Sequence, residues 1–196
     1  FEENPDPKLG IVCTNMWVIG ENISELSRPI LIRLENGTVF NEALFGRLKD
    51  IGIQTALIRR EVFDKVGGFD ESFPRWIDHE FFIRASRYFF FYQIDEALVN
   101  WHAHTSGIAS NKKNKFVAMK MLLAKYADDY NKPENKMLLA GFYYDIGHGL
   151  CSLGELKEGR SFLIKAIKKN PRHLNALTAF VVSFAPTIIY RLLHPM

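Results

Sequence analysis

The sequence of 196 residues is poor in several features that mark common classes of protein. Its two cysteines, Cys13 and Cys151, lie far apart in apolar surroundings, which argues against a disulfide framework and predicts reduced thiols in a cytosolic protein. The net charge is only +3 and the one dense basic run lies at residues 112–115, so binding to nucleic acid is not expected. Neither Gly-x-Gly-x-x-Gly nor Cys-x-x-Cys occurs.

Long apolar runs are also scarce. The longest uncharged stretch near the C-terminus, residues 174–190, is shorter than the roughly 20 apolar residues that a bilayer span needs. It contains Asn175 and is interrupted by Pro186. We therefore expect a buried helix here, with an interfacial membrane contact as the alternative. The protein is expected in the cytoplasm, with a peripheral position at the inner face of the membrane left open.

The first residues have an unusual composition for the start of a protein. "FEENPDPKLGIVCTN" does not begin with Met, and its pattern suggests the end of a helix, a Pro-rich turn and then a strand. We expect this chain to begin inside a larger protein.

The chain changes character near residue 111. Runs rich in β-branched and aromatic residues predict strands before that point, at residues 9–18, 54–60, 88–94 and 97–104. Asn36-Gly37 predicts a hairpin turn, and helices are predicted up to Gly67-Gly68 and from Trp76 to about Tyr88. After the polar segment 110–115 the patterns are entirely helical. The fold class is thus an α/β domain, residues 1–111, followed by an all-α extension, residues 112–196.

The helical part contains one repeat-like pattern, at about residues 140–173. Nine residues fall close to the spacing of a tetratricopeptide unit: Tyr143, Ile146, Gly147, Leu150, Gly154, Gly159, Leu163, Ala166 and Pro171. The pattern departs at Gly159, where Ala is more usual. A single unit cannot bury both of its faces. It is expected to pack on the α/β part, on residues 174–185 or on a partner.

The stretch "VGGFDESFPRWIDHEFFIRAS" (residues 66–86) is the strongest candidate for a functional site. Asp70 or Ser72 can hold the turn after the glycine pair through side-chain hydrogen bonds. Asp78 falls in the first turn of the following helix. One interpretation is helix capping, since acidic residues are favoured there by the helix dipole. The other is a general base held on a rigid helix beside a cleft.

Two histidines offer a second candidate. His102 and His104 are two residues apart, so on a strand they share a face, and His-x-His can supply half of a metal site. The alternative is a pair of surface or hydrogen-bonded histidines. The polar residues that follow suggest a loop over a site.

These pieces together resemble the C-terminal half of a family 2 glycosyltransferase with the GT-A fold. The resemblance rests on "ALIRREVFDKVGGFDESF" (56–73), "DHEFFIRAS" (78–86), "YQIDEALVNWHAHTSGIAS" (92–110) and, more weakly, "ENPDPKLGIVCTN" (3–15). They occur in the family's order and spacing and cover most of residues 1–111. The resemblance implies a mixed sheet with flanking helices.

The resemblance also implies roles for individual residues. Asp78 matches the proposed general base, although Ile77 replaces the acidic residue that usually precedes it. His104 matches a histidine near the metal and the diphosphate, and His102 is a weaker metal candidate where Arg is more usual. Seven residues are expected on the substrate side of the cleft: Arg59, Gly67, Gly68, Phe69, Asp70, Trp76 and Glu80.

The family's nucleotide-binding half and its Asp-x-Asp motif, which holds Mg²⁺ or Mn²⁺, have no counterpart in this sequence. The resemblance therefore implies the acceptor-side portion of an inverting, metal-dependent enzyme that moves sugar from a nucleotide-sugar to a glycan or lipid-linked acceptor, in surface glycan or polysaccharide synthesis. This portion alone is expected to be inactive. The alternative function is a non-catalytic interaction module built on the tetratricopeptide-like helices, with a membrane or protein partner through residues 140–193.

Overall fold

The computed structural model describes residues 6–19, 24–27, 39–48, 51–102, 111–185 and 190. The chain divides into two compact units, residues 1–110 and 111–196. The first combines a sheet with helices, and the described part of the second is helical. Within the described residues, no helix is both long enough and apolar enough to cross a membrane.

The first unit is built on a mixed four-stranded sheet with β1, Leu9–Ile19, at its centre. Strand β4, Phe90–His102, runs parallel to β1 along its whole length. Strands β2, Ser24–Ser27, and β3, Ala56–Ile58, both pair antiparallel with β1 and share its other edge. The predicted strand at residues 9–18 is confirmed, and the one at 54–60 is shorter than expected.

The two strands predicted at residues 88–94 and 97–104 are a single strand, β4, as far as His102. The register of the pairing with β1 shifts on both sides of Asn15. Thr14 pairs with Ile94 and Asn15 pairs with Ala97, so Asp95 and Glu96 are two extra residues in β4. Asn15 is buried and bridges this irregularity, because its Nδ2 donates to Asp95 Oδ1 at 2.9 Å and its Oδ1 accepts from Gln93 Nε2 at 2.6 Å. A bulge of this kind looks like a strand break in the sequence.

The described part of the first unit contains three helices: α1, Phe40–Leu44, α2, Arg60–Val66, and α3, Ile77–Ala85. A 3-10 turn at Ile53–Thr55 precedes β3. Helix α2 ends at Gly67, whose φ of 78° is left-handed, as predicted from the glycine pair. The predicted hairpin at Asn36-Gly37 lies outside the described residues.

The second unit contains five helices in its described part: α4, Lys112–Lys125, α5, Ala127–Tyr130, α6, Lys136–Ser152, α7, Leu156–Lys169, and α8, Leu174–Val182. Asn111 caps α4, since its Oδ1 accepts from the backbone N–H groups of Lys113 and Asn114. The apolar residues Phe116, Met119 and Leu122 of α4 are buried.

Helices α6 and α7 form a tight hairpin whose contact depends on glycine. A Cβ placed on Gly147 would lie 2.8 Å from the Gly159 carbonyl oxygen and 2.8 Å from the Leu163 nitrogen. A Cβ placed on Gly159 would lie 2.5 Å from Cys151 Sγ. The departure from Ala at position 159 therefore has a steric cause.

Helix α8 covers part of this hairpin. Buried Ala179 and Tyr190 pack with Cys151 and Leu163 in one apolar cluster. The expectation of a fully buried helix is wrong for the opposite face, because Leu174, Val181 and Phe184 are 72%, 69% and 64% exposed. The helix is short, and within the described structure its buried residues Ala176 and Ala179 lie on one side.

Candidate functional site

The loop that leads into α3 is held by its own side chains. Asp70 Oδ1 accepts from the Ser72 backbone N–H at 3.1 Å and from Ser72 Oγ at 2.6 Å. Phe73, one residue further, is buried and anchors the loop to the core. The prediction that Asp70 and Ser72 hold this turn is confirmed, and the loop has a defined conformation.

The glycine pair is tied to α3 by a buried ion pair. Glu80 is fully buried, and both of its oxygens accept from Arg84 Nε at 3.0 Å. The same guanidinium donates to the carbonyl of Val66 and, at 2.7 Å, to that of Gly68. Glu80 therefore acts on the glycine loop through Arg84. The substrate contact predicted for Glu80 itself stays a prediction.

Phe69 lies at the tip of this loop and joins an aromatic cluster. Its ring centroid is 5.0 Å from that of Phe81 and 6.1 Å from that of Phe63. The ring is partly exposed, whereas Phe81 is fully buried. One side of the Phe69 ring is thus held by Phe81 and Phe63, and the rest of the ring is exposed to solvent.

Trp76 precedes the first residue of α3 in an unusual backbone conformation. With φ of 64° and ψ of 31° it is left-handed, the only non-glycine residue with positive φ among those described. Such a conformation costs about 1–2 kcal/mol for an L-residue. The Trp76 ring lies 4.9 Å from the His79 ring, and its edge lies close to Gly46. Strain of this kind is concentrated at functional sites.

Asp78 is the second residue of α3 and is half-buried. Its Oδ1 accepts from the backbone N–H of His79 at 2.8 Å, which fits the capping interpretation. Its Oδ2 accepts from the backbone N–H of Ile53 at 3.4 Å, a long and weak contact. One oxygen is therefore engaged by the helix, and the other has only this weak contact from the described residues.

His79 was not predicted from the sequence. It is buried, and the desolvation that follows lowers its pKa to about 4, although Asp78, the Ala43 carbonyl and Glu80 oppose the shift. Its Nε2 is buried and has no hydrogen-bond partner within the described structure. The sequence feature that could have indicated a role for His79 is its position three residues after Trp76, on the same helix face. The buried His79 at the start of α3 thus carries a neutral imidazole.

Arg59 is the residue that precedes α2. Its backbone N–H donates to the Gly10 carbonyl at 2.9 Å, and its side chain is half-buried. The contact of this part of the chain with Asp78 comes from the backbone N–H of Ile53. The substrate contact predicted for Arg59 stays a prediction.

The predicted metal ligands are not assembled into a site by the described residues. His102 is exposed at the end of β4, and His104 lies outside the described residues. No group of three or more His, Cys, Asp and Glu side chains converges in the part of the chain that the structure describes. The metal site predicted at His102 and His104 therefore stays a prediction.

No protein-family model, curated protein or solved structure matches the chain. The function is therefore inferred from the residues and their geometry.

Proposed function

We propose that the first unit is the acceptor-side portion of an inverting glycosyltransferase of the GT-A type, related to family 2, with Asp78 as the general base. The observation that carries the proposal is the way in which hydrogen bonds hold the Asp78 carboxylate. Its Oδ1 is fixed by the helix at 2.8 Å, whereas its Oδ2 has only one 3.4 Å contact from the described residues. The ordered motifs of residues 56–110 supply the chemical context.

In the proposed reaction Asp78 Oδ2 removes the proton from an acceptor hydroxyl. The hydroxyl oxygen forms a bond with the anomeric carbon of the donor as the bond from that carbon to the diphosphate oxygen breaks. The diphosphate leaves with the electron pair, and the proton remains on Asp78. A carboxylate on a helix suits this role because its orientation is fixed before the substrate arrives.

Trp76 is proposed to position the acceptor. Its ring offers a flat apolar surface beside Asp78, and the strained backbone fixes where that ring points. The rigid Asp70–Ser72 turn and the Glu80–Arg84 pair hold the loop that leads to it. The glycines at 67 and 68, Phe69 and Arg59 would then form the rim of the acceptor site.

The test uses the protein made from its complete coding sequence. It is incubated with a panel of nucleotide-sugars and Mn²⁺, which the family resemblance implies, and the release of nucleotide diphosphate is measured. Replacing Asp78 by Asn should reduce turnover by about 10²–10⁴-fold, the usual contribution of a general base. The matched control is Asp64→Asn, an exposed acid on α2. Equal turnover of both variants would remove Asp78 from the mechanism.

A second candidate is an interaction module at residues 140–173, with α6 and α7 as a tetratricopeptide-like pair. The tight glycine contact between these helices favours it. The aromatic run at 142–144 argues against an open peptide groove, since Phe142 is buried and stacks on Tyr130 with centroids 5.3 Å apart. If calorimetry detects no binding of any nucleotide-sugar to the protein made from its complete coding sequence, the interaction module replaces the glycosyltransferase as the proposed function.

A further inference from the structure

The small net charge of the chain conceals a strong asymmetry between its two units. Residues 1–110 contain 11 Lys and Arg against 16 Asp and Glu, a net charge of −5. Residues 111–196 contain 14 against 6, a net charge of +8. A helical unit with this charge attracts anionic surfaces and repels a second copy of itself.

Helix α8 presents an apolar stripe to solvent on this basic unit. The stripe consists of Leu174, Leu177 and Val181, which are spaced by three and four residues and lie on one face of α8, and of Phe184 in the turn that directly follows the helix. Three of the four are well exposed, and Leu177 is half-buried. The buried residues Ala176 and Ala179 lie on the other side of the helix. The stripe is therefore separate from the contact that holds α8 in the unit.

Arginines flank both ends of the stripe. Arg172 is exposed two residues before Leu174. At the other end, the guanidinium of Arg160 lies 4.1 Å from the centre of the Phe184 ring. It also donates to Ser183 Oγ at 3.0 Å and to the Ser183 carbonyl at the end of α8. An apolar face between cationic groups is the arrangement expected of a helix that lies in the interface of an anionic bilayer.

We propose that the apolar stripe of α8 docks on the surface of an anionic lipid bilayer, with α8 in the plane of the interface. The apolar side chains enter the boundary between headgroups and acyl chains, and Arg172 and Arg160 contact lipid phosphates. This interaction is independent of the glycosyltransferase function proposed above, because none of its residues belongs to the first unit.

The test measures how the full chain sediments with vesicles of phosphatidylserine and phosphatidylcholine, and with vesicles of phosphatidylcholine alone. Binding should be strong to the first, weak to the second and reduced by added salt. The double variant Val181→Ser and Phe184→Ser should bind at least about tenfold more weakly, because each side chain loses its apolar burial. Arg172→Gln should weaken binding by a few fold, since each basic residue near the surface contributes about one kilocalorie per mole. Met137→Ser, at a residue 60% exposed on α6, should bind as the wild type does.

Circular dichroism of each variant checks that the helices persist. Equal binding of the double variant and the wild type to anionic vesicles would overturn the proposal, as would absence of binding by the wild type. Light scattering adds a further test: a wild-type dimer that the double variant dissociates, without vesicle binding, would assign the stripe to self-association instead.

Discussion

A glycine at the candidate site of the first unit and two glycines between the helices of the second serve different purposes. In the first, Gly67 adopts a left-handed conformation at the end of α2, and the nearest atom to an added Cβ would be 3.9 Å away. In the second, Gly147 and Gly159 lie inside helices, where an added Cβ would meet backbone atoms at 2.8 Å. Gly67 thus provides the shape of a loop, whereas Gly147 and Gly159 allow the close approach of two helices.

The two units also bury polar groups in different places. The first unit buries His79 and Glu80 at the start of α3, beside the candidate site, and Asn15 at the bulge of β4. The contact between α6, α7 and α8 is dominated by small and apolar side chains, with Cys151 and Leu163 fully buried. Buried polar groups cost free energy unless they are paired. The second unit also buries polar side chains, namely Asp129, Asn135, Ser152 and Ser183, so the number of such groups does not distinguish the units. What distinguishes the first unit is that His79 and Glu80 directly follow the candidate base Asp78.

The largest expected effect concerns Arg84. Replacing Arg84 by Met leaves the fully buried Glu80 carboxylate without its cation, which should lower the free energy of unfolding by about 3–5 kcal/mol. All three tryptophans of the chain, at 17, 76 and 101, lie in the first unit, so their fluorescence during urea unfolding reports on that unit. The double variant with Glu80→Gln should recover part of the loss. An unchanged midpoint in the single variant would contradict a role for this pair.

The buried His79 predicts a pH dependence of the first unit. Its folded pKa of about 4 lies below its ordinary value of 6.5, so the unfolded state binds more protons between these values. The contribution of neutral His79 to the free energy of unfolding is fully present above pH 6.5. It is lost as the pH falls toward 4, and the total loss is up to about 3 kcal/mol. Urea midpoints followed by tryptophan fluorescence at several pH values test this.

His79→Phe is the matched variant for that experiment, since it keeps an aromatic ring beside Trp76 but cannot titrate. The loss of stability between pH 6.5 and 5 should become shallower in the variant, whatever its effect at neutral pH. The same slope in variant and wild type would show that other groups cause the pH dependence.

The helix contact of the second unit predicts opposite effects for two glycines of α6. Gly147→Ala should destabilise the unit by about 1–3 kcal/mol, because the new methyl group meets the backbone of α7. Gly141 has no atom within 4 Å of an added Cβ, so Gly141→Ala should stabilise by about 0.5–1 kcal/mol through helix propensity alone. Thermal unfolding followed by circular dichroism measures both. A shift in the same direction for the two variants would disprove the steric account.

The smallest expected effect is the difference in stability between alanine variants of the two adjacent loop glycines. Gly67→Ala should cost at least about 1 kcal/mol, because a φ of 78° with a ψ of −178° is a backbone conformation that essentially only glycine adopts. Gly68 has no positive φ and no neighbour within 4 Å of an added Cβ, so Gly68→Ala should leave the urea midpoint of tryptophan fluorescence where it is. Equal midpoints for both variants would indicate that the loop relaxes.

The sequence predicts local features of this fold better than long-range ones. The end of α2 at Gly67, the Asp70–Ser72 turn and the start of α3 follow from backbone conformation and short-range hydrogen bonds. The continuity of β4 was missed, because pairing with β1 across the bulge at Asn15 overrides the local break.

The burial of His79 and the exposed face of α8 were missed for a related reason. Burial depends on which distant elements pack there, as Ala43 does at His79, and nothing in the local pattern of residues 174–184 distinguishes a covered face from an open one. At the candidate site, the sequence predicts Asp78 and its turn but not the imidazole beneath it.

The most direct test of the account compares donor binding with turnover in Asp78→Asn. Nucleotide-sugar affinity is measured by calorimetry and diphosphate release in the presence of acceptor, both on the protein made from its complete coding sequence. The account predicts unchanged affinity and a loss of turnover of about 10²–10⁴-fold, since only proton removal from the acceptor is affected. Turnover at the wild-type rate with unchanged affinity would contradict Asp78 as the base.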